Sequence, residues 1–140
     1  MDSLILIGAG GHAKSIIDII ETKNDWKVFG LIGIKSQVKK SIMGYEVIGT
    51  DKELITLSKL YRNAFIAIGI IGKNTQRNKL IKRLSKFNFS FPVIISAHAY
   101  VSKHSTIKEG TSIGHGAIVN CGVSIGKQSI INSSALIEHD

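Results

Sequence analysis

The chain closes on His139 and Asp140, which place an imidazole next to a carboxylate. Such an imidazole can act as a general base toward an amine or a hydroxyl, because the carboxylate tunes its basicity and orientation. Adjacent residues of a strand point to opposite faces. Asp140 therefore reaches His139 only if a turn rotates it, or it serves a neighbouring subunit instead. These two residues are the candidate catalytic residues.

A second candidate site is the glycine-rich segment Gly8-Ala9-Gly10-Gly11-His12, which lies between a predicted strand and a predicted helix. Glycines let the backbone approach a ligand closely, and the N-terminus of a helix favours an anion. Ala13 replaces the last glycine of the dinucleotide pattern G-x-G-x-x-G, and no acidic residue follows the second strand. The segment predicts phosphate binding, with a glycine turn that merely packs strand on helix as the alternative. A nicotinamide-dependent reductase is disfavoured.

The catalytic candidates lie at the end of a six-residue repeat of branched aliphatic residues. Such a period predicts a parallel β-helix of hexapeptide turns, with the aliphatic side chains inside and small residues at the corners. Three hexads close one coil of about 18 residues. The repeated positions are Val101, Ile107, Ile113, Val119, Ile125, Ile131 and Ile137.

The coil length also places Lys103, Cys121 and His139 at the same position of successive coils, about 4.8 Å apart along the axis. A β-helix of this kind with a histidine near its last turn suggests acyl transfer. Because direct acyl transfer needs no cysteine nucleophile, we interpret Cys121 as a packing residue. The remaining histidines of this region are expected to be surface residues. They are His98, His104 and His115.

Before the repeats, short apolar runs alternate with helical patterns. Residues 4–7, 26–32 and 65–68 read as strands, and Ala13, Ile16, Ile17 and Ile20 mark one face of a helix. A helix over residues 51–60 is expected to have Asp51 as its N-cap. The last helix, over residues 74–87, is expected to direct its charged residues outward. These are Arg77, Lys79, Lys82, Arg83 and Lys86.

This alternation predicts an α/β fold: a Rossmann-like βαβ domain with a parallel sheet, followed by the parallel β-helix. We place the domains at residues 1–95 and 96–140. About two coils are present, fewer than a solenoid usually needs, so we expect a truncated chain with more coils in the parent protein.

Composition limits the functional classes further. A net charge of +8 would suit a nucleic-acid binder, but the lysines are scattered and aromatic residues make up only 6% of the 140 residues. We predict no nucleic-acid partner. The single cysteine excludes an internal disulfide and fits a reducing cytoplasm. No apolar run approaches the roughly 20 residues of a membrane span, and no Cys/His cluster has metal-ligand spacing. We predict a cytoplasmic protein without a metal.

Three motifs in order carry a family resemblance. They are I-G-A-G-G-H-A-K (residues 7–14), A-I-G (residues 67–69) with Arg77, and I-I-N-S-S-A-L-I-E-H-D (residues 130–140). Together they resemble the sialic acid O-acetyltransferase (NeuD-type) family, which includes the PglD-like acetyltransferases of UDP-4-amino-sugars. The resemblance implies a left-handed β-helix that binds acetyl-CoA between the subunits of a homotrimer.

The resemblance also implies roles for single residues. His139 matches the general base and Asp140 the acidic residue that modulates it, while Asn132 matches an asparagine near the acceptor group. Gly8, Gly10, Gly11, His12 and Gly69 match the substrate loops. The family often carries an acidic pair after the second strand, where this chain has Gly33-Ile34. The nucleotide is therefore left open.

The resulting hypothesis is an acetyltransferase that moves the acetyl group of acetyl-CoA directly to an amino or hydroxyl group of a sugar. The sugar is expected to be a nucleotide-activated amino-sugar for a surface glycan. Two alternatives stay open. One is a sialic acid O-acetyltransferase, and the other is an inactive, truncated module that binds a nucleotide-sugar without turnover.

Overall fold

The computed structural model describes residues 1–70 and 75–139. The contacts between Cα atoms divide the chain into two units. Unit 1 consists of Met1–Ile17 and Trp26–Phe91, and unit 2 of Asp18–Asp25 and Pro92–Asp140. The domain boundary predicted at residues 95 and 96 stays a prediction. None of the helices within the described ranges has both the length and the apolar content that crossing a bilayer requires.

Unit 1 is built on a five-stranded sheet with the order β3-β4-β2-β1-β5. Strands β1, β2, β4 and β5 run parallel, and β3 pairs antiparallel with β4 at the edge. The parallel sheet predicted for this region is confirmed. The elements of this part of the chain are β1 (Asp2–Ile7), α1 (Gly11–Glu21), β2 (Trp26–Ile32), β3 (Ser41–Ile42), β4 (Tyr45–Gly49), α2 (Leu54–Leu60), β5 (Asn63–Ile66) and α3 (Thr75–Leu84). The second half of α1, from Asp18 onward, is assigned to unit 2.

The core of unit 1 follows from the apolar runs of its central strands. Ile5 and Ile7 of β1 are buried together with Ile66 of β5, and Leu84 of α3 joins the same cluster. Strands that are covered on both faces read as continuous apolar runs, which is why residues 4–7 could be recognised from sequence.

The β3–β4 hairpin was not anticipated. Met43 and Gly44 connect its strands with φ angles of 50° and 88°, as in a two-residue type I′ turn. Asparagine or aspartate usually occupies the first of these positions, because both tolerate the left-handed conformation. Methionine gave no such signal, so the turn was missed.

The expected N-cap of the second helix was wrong by one residue. Thr50, not Asp51, caps the short 3-10 turn Asp51–Glu53 that leads into α2. The Glu53 carboxylate accepts a hydrogen bond of 2.7 Å from the Thr50 N–H, and the Thr50 hydroxyl accepts one from Lys52 N–H. The Asp51 carboxylate instead pairs with Arg83 at 2.6 Å.

Unit 2 is a parallel β-helix with three faces, formed by the sheets β13-β10-β7, β11-β8 and β12-β9-β6. Each pairing joins residues 18 apart, such as Val101 with Val119 and Val119 with Ile137. The predicted coil length is therefore confirmed. The strands are β6 (Ile94–Ile95), β7 (Tyr100–Val101), β8 (Thr106–Ile107), β9 (Ser112–Ile113), β10 (Ile118–Val119), β11 (Ser124–Ile125), β12 (Ile130–Ile131) and β13 (Leu136–Ile137).

The repeated aliphatic residues fill the interior of the β-helix, as the period predicted. Ile113 and Val119 are fully buried, and the other members of the series pack against them. Ile95 joins the same core and pairs with Ile113. The repeat therefore begins one hexad before Val101.

A left-handed residue also recurs every six positions in the β-helix. Gly110, Gly116 and Gly122 have φ between 70° and 78°, and Gln128 and Ser134 adopt φ of 55° and 63°. Glycine adopts this conformation without steric strain because it has no Cβ atom, whereas any other residue is strained there. The left-handed conformation thus keeps the six-residue period of the interior positions from Gly110 to Ser134, although glycine occupies only the first three of these corners.

Candidate active site

The glycine segment forms the turn between β1 and α1, at the carboxyl edge of the parallel sheet. Gly8 has φ of 133°, and a Cβ atom there would lie 2.5 Å from the carbonyl oxygen of Ala67. The ends of β1 and β5 are also joined by a hydrogen bond from Ala67 N–H to the Ile7 carbonyl. Only glycine permits this close approach of the two backbone segments at the carboxyl edge of the sheet.

Five of the predicted substrate residues line one cavity of about 530 Å³ in unit 1. The cavity lies at the N-terminus of α1, where backbone N–H groups have no partner within the helix. No aspartate or glutamate lines it within the described part of the chain. The site is therefore suited to an anion. The five residues are Gly8, Gly10, Gly11, His12 and Gly69.

His12 carries an unsatisfied polar atom in this cavity. Its Nε2 is buried and has no hydrogen-bond partner among the described residues. Burial lowers the pKa of His12, and the positive charge of Arg77 lowers it further. The imidazole is therefore held neutral, and a neutral imidazole has one donor and one acceptor nitrogen. An unsatisfied buried group of this kind indicates a place for a ligand or a water molecule.

Arg77 was expected to face outward, and this was wrong. Its side chain is 3% exposed, lines the same cavity as His12, and donates from Nε to the Ile68 carbonyl at 3.0 Å. Burial lowers the pKa of the guanidinium, which nevertheless stays charged at neutral pH. The motif comparison had singled out Arg77, but its position in the site was missed.

A larger cavity of about 1030 Å³ adjoins the first and shares Gly8, Ala9 and Ile68 with it. Three lysines and two acidic residues line it. Both acidic residues already have partners. The Asp51 carboxylate pairs with Arg83, and the Glu53 carboxylate accepts a hydrogen bond from Thr50 N–H, which lowers the pKa of Glu53. Among the described residues no carboxylate lies within 4 Å of the lysine ammonium groups. These lysines are Lys35, Lys39 and Lys52.

Gln37 was also missed by sequence reasoning. It lies in the 3-10 turn Lys35–Gln37 and connects two loops of the larger cavity. Its Oε1 accepts a hydrogen bond from Ile34 N–H at 2.9 Å, and its Nε2 donates to the Ala9 carbonyl at 3.2 Å. Sequence alone gave no signal for this contact, because Gln37 and Ala9 are 28 residues apart.

The candidate base lies in unit 2. His139 is exposed and follows β13, while Asn132 is exposed and follows β12 directly. Asp140 lies outside the described residues. The register between β10 and β13, continued past the strands, places Cys121 on the coil that precedes His139. Cys121 was expected to be a packing residue, and this was wrong, because it is exposed. A Cβ atom at Gly122 would be 3.9 Å from the Cβ of His139, so the two coils are in contact here.

His115 was expected to be a surface residue, and its side chain is 34% exposed, but it has two polar partners that were not anticipated. Its Nδ1 lies 2.7 Å from the Ser96 hydroxyl, and its Nε2 lies 2.9 Å from the Asp18 carboxylate. All three residues belong to unit 2. The Ser96 side chain is buried and also accepts from His98 N–H, so it is not available as a nucleophile.

Taken by itself, each unit offers one kind of chemistry. Unit 1 has a glycine turn suited to an anion, with a neutral imidazole and a buried guanidinium, and unit 2 exposes an imidazole on a β-helix. No cluster of three His, Cys, Asp or Glu side chains in residues 1–70 and 75–139 has the geometry to hold a metal ion.

Three known proteins show what the chain is similar to. The UDP-N-acetylbacillosamine N-acetyltransferase of Bacillus subtilis is 33% identical over 113 residues, which is 81% of this chain and 51% of that protein. A mutant of perosamine N-acetyltransferase from Caulobacter crescentus, solved with CoA and GDP-perosamine, is 28% identical with a TM-score of 0.88. The match covers 100% of this chain and 64% of the perosamine N-acetyltransferase chain.

The acetyltransferase domain of PglB from Neisseria gonorrhoeae, solved in complex with acetyl coenzyme A, has a TM-score of 0.84 and 28% identity. The match covers 99% of this chain and 65% of that one. The chain thus spans about half the length of the curated relative and under two thirds of the solved ones.

A sequence profile provides the family assignment. The profile of the PglD N-terminal domain matches residues 3–84, which is more than half of the chain. This range contains the sheet of unit 1, the glycine turn and the buried Arg77. The chain therefore belongs to the PglD N-terminal domain family.

Proposed function

We propose that the chain is part of an acetyltransferase that moves the acetyl group of acetyl-CoA to the amine of a nucleotide-activated amino-sugar. The observation that carries the proposal is the cavity of unit 1, in which five predicted substrate residues surround the N-terminus of α1. A diphosphate is one of the anions that a helix N-terminus can bind. The similar proteins named above act on, or are bound to, a UDP-sugar, a GDP-sugar and acetyl coenzyme A.

In this proposal the diphosphate is bound at Gly10, Gly11 and His12, with Gly8 and Gly69 leaving room for it. The charge of Arg77 favours the same anion. The larger cavity takes the nucleoside end, and its three uncompensated lysines add favourable charge.

Unit 2 supplies the acyl-transfer step. His139 removes a proton from the amine as the nitrogen attacks the thioester carbonyl, and the CoA thiolate leaves with that proton. The N–C bond forms as the C–S bond breaks, so no covalent enzyme intermediate is needed. Asp140 modulates the imidazole and Asn132 contacts the acceptor group. The exposed thiol of Cys121 has no part in this route.

A direct test compares acetyl transfer by the wild-type chain, His139→Asn and Cys121→Ser, using acetyl-CoA with UDP- and GDP-linked amino-sugars. The expected result is loss of turnover of about 10²–10⁴-fold in His139→Asn and wild-type rates in Cys121→Ser. If Cys121→Ser is the inactive variant, the direct route is wrong.

Calorimetric titration with UDP and GDP separates binding from turnover. His139→Asn should bind the nucleotide as the wild type does, since His139 belongs to unit 2 and the proposed nucleotide site to unit 1. Nucleotide binding without turnover in the wild-type chain would favour the alternative of a non-catalytic binding module. Turnover of a free sialic acid, but not of the nucleotide-sugars, would favour the O-acetyltransferase.

A further inference from the structure

Gln37 occupies a special position in unit 1, because the oxygen and the nitrogen of its side-chain amide each form a hydrogen bond and together connect two loops. Oε1 accepts from Ile34 N–H at 2.9 Å, and Nε2 donates to the Ala9 carbonyl at 3.2 Å. Ala9 belongs to the glycine turn between β1 and α1, and Ile34 follows β2. Since Gln37 lines the larger cavity, its contacts lie on that side of the glycine turn.

The contact with Ala9 fixes the direction of a neighbouring donor. In a trans peptide the C=O and the following N–H point in opposite directions, and no peptide bond within the described residues is cis. The Ala9 carbonyl points toward Gln37, so the Gly10 N–H points away from it. Gly10 lines the smaller cavity and not the larger one. The Gly10 N–H has no hydrogen-bond partner among the described residues.

Without this contact the Ala9–Gly10 peptide has little to hold it. Glycine adopts either sign of φ at similar cost, and a Cβ atom at Gly10 would meet nothing within 4 Å. Rotation of the peptide would turn the N–H away from the anion site and bring a carbonyl oxygen toward it. A hydrogen bond to Ala9 prevents this only if its donor is held in place, and the Ile34 N–H does so by fixing Oε1.

We propose that Gln37 is a positioning residue, which orients the Ala9–Gly10 peptide so that the Gly10 N–H is presented to a diphosphate. The inference rests on the proposed function for the identity of the anion. Gln37 does not touch the anion in this account. It acts through the peptide that it holds.

The test is the substitution Gln37→Glu, which keeps the shape of the side chain. The introduced carboxyl group, when ionised, can accept from Ile34 N–H but cannot donate to the Ala9 carbonyl, whereas the protonated group can do both. Ser36→Ala is the matched control, because Ser36 lies in the same 3-10 turn, is exposed, and lines neither cavity. The probes are UDP and inorganic pyrophosphate, titrated by calorimetry at pH 8 and pH 4.

At pH 8 the Kd of Gln37→Glu is expected to be about 10-fold higher than that of the wild type, the equivalent of one lost hydrogen bond. At pH 4, below the ordinary pKa of about 4.3 for a glutamate side chain, the ratio should fall toward one, because protonation restores the donor. Because the introduced carboxylate also repels an anion at pH 8, Gln37→Met, an uncharged side chain of similar size that forms neither hydrogen bond, must raise the Kd at pH 8 as well. The other charged groups of the larger cavity are common to all of these proteins. They are Lys35, Lys39, Asp51, Lys52 and Glu53.

A ratio of one at both pH values overturns the proposal. An equal loss at both pH values also overturns it, because that pattern indicates general damage. If the wild type binds neither probe, the proposed function fails first. The role of Gln37 is then judged by NMR, in which the Gly10 amide resonance must shift in Gln37→Glu at pH 8 and remain in place in Ser36→Ala. An unchanged resonance in Gln37→Glu refutes the positioning role.

Discussion

The His115 imidazole and the Asp18 carboxylate lie 2.9 Å apart, although 97 residues separate them in the chain. Asp18 belongs to the second half of α1, and His115 lies in the turn after β9. On its other side the imidazole lies 2.7 Å from the buried Ser96 hydroxyl. The imidazole thus joins the end of a helix to the first coils of the β-helix within unit 2.

Removing this imidazole should destabilise the protein more than removing the carboxylate. His115→Ala deprives the buried Ser96 hydroxyl of a partner, which costs about 1–3 kcal/mol. Asp18→Asn should cost under about 1 kcal/mol, because the Asp18 side chain is 65% exposed. Urea denaturation followed by circular dichroism measures both changes. His104→Ala, at an exposed position, is the control. Equal losses for His115→Ala and His104→Ala would remove any special role for this contact.

The left-handed corners of the β-helix give a second prediction. Gly110 has φ of 72°, and an added Cβ atom would overlap the Gln128 side chain. Gly110→Ala is expected to lower the free energy of unfolding by at least about 1–2 kcal/mol from the backbone alone. Gly126→Ala is the matched control, since Gly126 lacks a positive φ and has nothing within 4 Å of its Cβ direction. Its change should stay within about 0.5 kcal/mol. Similar losses for the two variants would contradict the assignment of Gly110 as a corner.

His12 should make stability depend on pH. Its pKa lies below 6.5, chiefly through burial, so the unfolded chain binds the proton more readily than the native protein. Stability from this group is therefore complete above pH 6.5 and is lost as the pH falls from there toward the native pKa. His12→Gln should remove this part of the pH dependence between pH 7 and pH 5, measured by urea denaturation. An unchanged slope would contradict the lowered pKa.

The contribution of Arg77 to that shift can be measured separately by NMR titration of the His12 ring protons. Arg77→Gln removes the second cause of the shift, so the pKa of His12 should rise toward 6.5 without reaching it. Lys79→Gln is the matched control, because it removes one charge from an exposed position of the same helix. A rise of the same size in both variants would assign the effect to net charge rather than to the neighbouring guanidinium.

The fold could be predicted wherever a short stretch of sequence carries the pattern that encodes it. The hexad repeat encodes both the interior and the pitch of the β-helix, because each coil uses the same residue positions. The glycine turn was found for the same reason. For Arg77 the local pattern was present but was interpreted wrongly. Arg77 lies three, four and seven residues before Leu80, Ile81 and Leu84, on the apolar face of α3, but its charge was taken to place it outside.

Contacts between distant residues could not be predicted from a single sequence. Gln37 reaches Ala9 across 28 residues, and His115 reaches Asp18 across 97. No local pattern specifies such pairs, since they depend on how the strands and coils are arranged in three dimensions. The candidate site was therefore anticipated in its glycines and His12, while the residues that orient them were not.

Gly33 and Gln37 should be energetically coupled, and this provides a test of the Gln37 contacts that does not involve any ligand. A Cβ atom at Gly33 would lie 2.6 Å from the Gln37 Oε1, so Gly33→Ala must displace the side-chain amide from Ile34 and Ala9. Gly33 does not have a positive φ, so alanine meets no backbone strain there. Gly33→Ala alone should lower the free energy of unfolding by about 1–3 kcal/mol, because hydrogen bonds are lost and a side chain is forced aside.

In a Gln37→Ala background, Gly33→Ala should lower the free energy of unfolding much less, because the overlapping amide is gone. Two milder contacts of 3.1 Å and 3.2 Å, to Val47 and Ala9, then set the remaining cost. Urea denaturation of the wild type, both single variants and the double variant gives the coupling free energy, which we expect to be about 1–2 kcal/mol. Strict additivity would mean that the Gln37 amide does not occupy the space beside Gly33. The account of its hydrogen bonds to Ile34 and Ala9 would then be wrong.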